Sequence, residues 1–153
     1  MLVDGKAQAV AVPVQGGYEP SRRAAAAMPA CAAYAGRTAQ VPLVKLAYAR
    51  SGDKGDLSNI GVIARKPEYL PLLQRELTPA AVREYFSYMV KGEVTRYALP
   101  GINAFNFLLQ EALDGGGTAS MRMDPLGKGM GQILLDMPIA VPEELAQQLG
   151  QPE

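Results

Sequence analysis

Histidine is absent from this chain, and cysteine occurs once. Without histidine there is no Ser-His-Asp or Cys-His nucleophile system and no ordinary histidine zinc site. Acid–base chemistry would fall to Asp, Glu, Lys, Tyr or Cys. A single cysteine, Cys31, closes no internal disulfide, so the chain is not a disulfide-built secreted domain. A reducing cytoplasm is compatible and is the expected location. Excess charge of either sign is also missing, with 15 Lys plus Arg against 15 Asp plus Glu. That balance argues against a general nucleic-acid binder, which needs a basic footprint. No apolar run approaches the roughly 20 residues that cross a bilayer, so no membrane partner is expected.

What is present suits one domain. The 153 residues are 48% hydrophobic and 20% charged, enough for a core with room for a tail. Residues 1–40 read as that tail or linker. Val10, Val12 and Val14 alternate, but Pro13 interrupts them, and Pro29 breaks the alanine-rich run from Ala24 to Ala35. Ser21-Arg22-Arg23 and Met28-Pro29-Ala30-Cys31 superficially suggest export and lipid attachment. The apolar stretch between Arg23 and Cys31 is too short for a signal core and contains a proline.

From residue 41 to about 150 the patterning is regular. Val41 to Arg50 alternates as a strand, with Val44, Leu46 and Tyr48 on one side, and Ile60, Val62 and Ala64 repeat the period. Pro67 to Glu76 reads as a short helix. Thr78 is a good N-cap before Pro79, and Val82, Tyr85, Phe86 and Met89 form a helical core stripe. Val94 to Leu99 reads as a strand. Ile102 to Leu113 reads as a helix with Phe105, Leu108, Leu109 and Ala112 inward, and Asn103, Asn106 and Gln110 as a polar stripe. Thr118–Asp124 and Gly131–Ile139 read as a closing hairpin. Its solvent side, Thr118, Ser120, Arg122, Gln132, Leu134 and Asp136, is a candidate partner surface. Pro142 to Leu149 suggests a last helix. Alternating strands with single-striped helices predict an α+β sandwich, helices packed on one face of a largely antiparallel sheet.

The most informative stretch is Arg50-Ser51-Gly52-Asp53-Lys54-Gly55-Asp56-Leu57-Ser58-Asn59. Two glycines and two aspartates make a turn for local reasons. Lys54 and Asn59 are not needed by a turn, so Ser51, Asp53, Lys54, Asp56 and Asn59 also form a candidate polar site, with Asn103 and Asn106 beside it. The stretch is not a P-loop, which needs Gly-x-x-x-x-Gly-Lys-Ser/Thr between strand and helix. Asp114-Gly115-Gly116-Gly117 has no helix after it to cradle a phosphate. No cofactor is implied.

The same stretch, running on through Asn59-Ile60-Gly61-Val62-Ile63-Ala64-Arg65, resembles the small α+β domain of the AtuA-like family, named for acyclic terpene utilisation. Asn103-Ala104-Phe105-Asn106-Phe107-Leu108-Leu109, Asp114-Gly115-Gly116-Gly117 and Gly127-Lys128-Gly129-Met130-Gly131-Gln132 carry the resemblance further. It implies a ferredoxin-like fold over residues 41–150 and no particular reaction. In that family the domain follows a larger N-terminal domain or occurs as a separate short chain. This sequence has no counterpart of the larger domain, so that domain's activity is not carried over.

The resemblance implies an accessory, non-catalytic subunit or domain of an AtuA-like large subunit, in catabolism of acyclic terpenoid or branched acyl-CoA compounds. Two other classes stay open. One is a small enzyme or metal-assisted site on Ser51–Asp56 with Asn59 and Asn106, where carboxylates and a carbonyl would hold Mg²⁺. The other is a homo-oligomeric small-ligand binder.

Overall fold

The computed structural model describes residues 2–9, Met28 and residues 36–150. A small hairpin stands first, β1 (Leu2–Val3) and β2 (Lys6–Ala7). Next come β3 (Thr38–Pro42), a 3-10 turn at Leu43–Lys45, β4 (Ala47–Lys54) and β5 (Leu57–Ala64). Two short helices, α1 (Leu70–Glu76) and α2 (Pro79–Tyr85), lead to β6 (Val94–Leu99) and β7 (Ala104–Leu109). The described chain ends with α3 (Met130–Leu135), β8 (Pro138–Pro142) and α4 (Glu143–Gly150).

The main sheet has the order β4-β5-β7-β6, and β3 pairs with β8 in a second sheet. Every pairing is antiparallel, so the expected α+β class holds. Alternation sorts the main sheet into two faces. Ile60 and Val62 of β5 and Phe105, Phe107 and Leu109 of β7 are buried on one face. They join Leu73, Leu77, Val82, Phe86 and Leu134 from the helical side in one core. Thr78 caps α2 as expected, its Oγ1 accepting from Ala81 N at 3.1 Å with Pro79 at the first helical position.

Several expectations change. The segment read as a helix over Ile102–Leu113 is the inner strand β7, flanked by β5 and β6. A central strand buries residues on both faces, so its apolar run matched a helical period equally well. Asn103 and Asn106 therefore share no helical stripe. Thr118–Asp124 forms no strand, and the side chains of Met121 and Met123 are fully exposed. Gly131–Leu135 lies in α3, where Leu134 is buried, so the expected partner surface on these two segments is not a sheet face. Arg122 instead anchors the loop, donating to the carbonyls of Ala112 and Met89. The first predicted strand is broken by the 3-10 turn, which buries Leu43, and Tyr48 points to solvent. Strand β3 begins at Thr38, ahead of the boundary expected at residue 41. Within residues 1–40, Met28 packs against the core, while Val10, Ala24 to Ala27 and Cys31 lie outside the described residues.

Tyr85 ties α2 to α3, its hydroxyl donating to the Ile133 carbonyl at 3.0 Å. Burial raises its pKa, with smaller contributions from the negative charge of Asp136 and from Tyr88. The folded state therefore holds this proton more tightly than the unfolded chain does. The associated stability is present below about pH 10 and is lost as pH rises through the folded pKa. Tyr85→Phe is expected to flatten the alkaline fall in the urea midpoint. At neutral pH it should cost about 0.5–1.5 kcal/mol for the lost hydrogen bond. An alkaline slope identical to that of the parent chain would refute the assignment.

Candidate functional site

The hairpin β4–β5 turns on Gly55 and Asp56 alone, because Lys54 pairs with Leu57 across it. Gly52 and Lys54 are thus strand residues. With Arg50 they alternate onto the face of the sheet opposite the core. The register places Arg50 opposite Gly61, then Asn106 and Tyr97, as one row across the four strands. The adjoining row is Gly52, Asn59, Leu108 and Thr95. Gly52 and Gly61 are diagonal neighbours without side chains, so the sheet surface dips there. The result is an open groove of about 420 Å³ at the β4 edge.

Cations dominate the rim of this groove. Arg50, Lys54 and Lys128 line it, against the single carboxylate of Asp53. Asp53 Oδ1 accepts from Lys128 Nζ at 3.2 Å, and Lys54 Nζ donates to the Asp53 carbonyl at 3.1 Å. Both ammonium groups therefore converge on the Asp53 side. Lys128 is held at its backbone, where the Lys128 and Gly129 amides donate to the Asp124 carboxylate at 2.8 and 2.7 Å. The Arg50 side chain is exposed and makes no hydrogen bond or ion pair among the described residues. Asn59 lies against Gly52 with its Oδ1 toward that glycine, and its Nδ2 donates a long 3.5 Å bond to the side-chain Oδ1 of Asn106.

The seven residues expected at the site divide by this geometry. Asp53, Lys54 and Asn59 line the groove, with Asn106 against Asn59. Ser51 is 6% exposed and binds the 128–131 segment, accepting from Gly131 N at 2.8 Å and donating to Lys128 O at 3.0 Å. Asp56 faces away from Asp53. Its Oδ1 accepts from Leu113 N and Gly115 N, both at 2.9 Å, and fastens the hairpin tip to the glycine loop. Asn103 is remote, in the left-handed conformation at the β6–β7 connection beside Ala64. Arg50, Gly61 and Lys128 were missed. Once the strand is carried through Lys54, the i, i+2, i+4 spacing of Arg50, Gly52 and Lys54 places all three on one face.

The two aspartates thus serve different neighbours. Among the described residues no group of three or more His, Cys, Asp or Glu is placed to hold a metal ion. Nor is any described helix long and apolar enough to cross a membrane.

A four-stranded antiparallel sheet with helices on one face and a polar groove on the other defines a ferredoxin-like α+β domain. The AtuA ferredoxin-like domain family matches residues 41–140, and the chain belongs to that family. No curated protein and no solved structure matches it.

Proposed function

We propose that this protein is an accessory, non-catalytic module that docks an AtuA-like large domain through the open face of its main sheet. The observation that carries this reading is an apolar row on that face. Tyr48, Ile63, Ala104 and Leu99 lie side by side in register, with Tyr48, Ile63 and Leu99 exposed by 56%, 44% and 39%. Tyr97, in the next row, is 52% exposed. Exposed tyrosines and aliphatics grouped on one face are the residues that anchor protein interfaces. Arg65 stacks on the Tyr48 ring at 4.0 Å, which stiffens that anchor before any partner arrives. With Arg50 and Lys54 on the same face, the matching surface of the partner is apolar at its centre and acidic at its rim. The metabolic setting, breakdown of acyclic terpenoid or branched acyl-CoA compounds in the cytoplasm, rests on family resemblance alone.

Sedimentation of the chain mixed with an AtuA-like large domain lacking this module tests the proposal. A stable complex is expected, and Ile63→Glu should weaken it by at least about tenfold, as a charge buried at an interface centre does. The variant alone should keep its thermal midpoint, since Ile63 is outside the core. A chain that ignores the large domain overturns the accessory role. Self-association abolished by Ile63→Glu would assign the same face to a second copy instead. Loss of folding in Ile63→Glu would assign it to a segment of the same chain.

A further inference from the structure

The groove at the β4 edge adjoins the apolar row but lies outside it. It has a shape and charge of its own. Its floor is two diagonal glycines, Gly52 and Gly61. A Cβ on Gly61 would meet nothing closer than the Arg50 carbonyl at 3.8 Å, and one on Gly52 would meet the Lys128 ammonium at 3.3 Å. Close backbone packing therefore does not explain glycine at position 61. What the two missing side chains do together is leave room beside three cations in a chain whose net charge is zero.

We propose that this groove binds the oxyanion of a small molecule, a carboxylate or a phosphate. Arg50 grips the oxyanion, and Lys54 and Lys128 stand at the rim. Arg50 is the principal ligand because its exposed guanidinium has no other bond among the described residues. A guanidinium presents parallel N–H groups that fit two oxygens of a carboxylate or phosphate. Asn59 forms the inner wall, its Nδ2 donating to Asn106 Oδ1 and its Oδ1 turned toward Gly52, so the donors to the oxyanion are the three cations. Lys128 exchanges part of its bond to Asp53 for the ligand. A volume of about 420 Å³ is room for a small-molecule ligand. The proposal does not depend on a protein partner and is tested on the chain alone.

The test is an NMR titration of the labelled chain, following the backbone amides of Gly52, Asn59 and Gly61. Inorganic phosphate and sodium acetate are titrated separately, with sodium chloride at matched ionic strength as the control. Saturable shifts of these three amides are expected with phosphate or acetate and not with chloride. A stronger response to phosphate identifies a phosphate head group, and a stronger response to acetate a carboxylate. Arg50→Gln should weaken apparent affinity about tenfold, as loss of one bidentate charged contact does. Gly61→Val should abolish the shifts of Gly52 and Asn59 by filling the floor, with an unchanged thermal midpoint. Equal shifts with chloride, shifts that survive both substitutions, or no shifts with either anion would overturn the site.

Discussion

Replacing Gly116 with alanine is expected to lower folding stability by about 3 kcal/mol or more, whereas the same change at Gly117 costs about 1 kcal/mol. Both glycines have positive φ, +64° at Gly116 and +51° at Gly117, so both pay the left-handed strain of a residue with a Cβ. They differ in what the Cβ meets. At Gly117 it meets nothing within 4 Å. At Gly116 it would overlap the Gly55 carbonyl oxygen and stand 2.6 Å from the Gly55 carbonyl carbon and 3.2 Å from Asp56 N. All of these atoms are backbone, so no side chain can swing aside. Relief requires the 112–116 loop to lift from the β4–β5 tip. That movement breaks the bonds from Leu113 N and Gly115 N to the Asp56 carboxylate, and the bond from Ala112 N to the Asp56 carbonyl. Bonds to an ionised carboxylate contribute more than neutral ones. Urea unfolding of the two variants measures the difference. Matching midpoints would show that the loop does not depend on this contact.

The role of Asp56 in that contact shows where sequence reading stopped. A Gly-Asp-rich hairpin between two alternating strands was legible, because turn chemistry is local. The partner of Asp56, some sixty residues further along the chain, was not. The same division holds elsewhere. Thr78-Pro79 announced α2, since a cap and its first turn are neighbours in sequence. The short helix α1 and strand β6 were likewise visible in their own residues. Strand β7 was not, because Phe105, Leu108 and Leu109 fit a helix as well as Phe105, Phe107 and Leu109 fit a strand. Its neighbours on both sides decide between them. Helix α3 was misread for the opposite reason. Six residues carry less than two turns of pattern, and the helix is fixed by tertiary packing, with Gly131 against the backbone of Arg50 and Ser51. For the site, the sequence singled out Asp53, Lys54, Asn59 and Asn106, which the fold brings together around the groove. Arg50 and Gly61 became visible only with the register of the sheet, and Lys128 only with the bonds that bring its loop to the β4 edge.

Arg96→Met is expected to cost about 1.5–3 kcal/mol, the range for bonds made by a charged donor, while Arg96→Lys recovers part of it. Arg96 lies on β6 on the core side of the sheet, and its guanidinium reaches the end of α1. One nitrogen donates to the carbonyls of Gln74 at 2.7 Å and Leu77 at 2.6 Å. These carbonyls belong to the last turn, where a helix runs out of its own donors and its dipole is negative. The guanidinium also stands 4.8 Å over the Phe105 ring, so one side chain joins the helix end, the sheet and the core. Methionine keeps the long stem and removes every donor, leaving two part-buried carbonyls with only water to turn to. Lysine keeps the charge as a single ammonium, which cannot reproduce the flat contact with the ring. Burial pulls the Arg96 pKa below its ordinary value, yet an arginine remains charged across the working range. The destabilisation should therefore be the same at neutral and mildly alkaline pH, unlike the slope assigned to Tyr85. Chemical denaturation of the three proteins at two such pH values provides the measurement. An Arg96→Met variant within about 0.5 kcal/mol of the parent, the range of ordinary surface changes, would show that α1 is held by its apolar face alone.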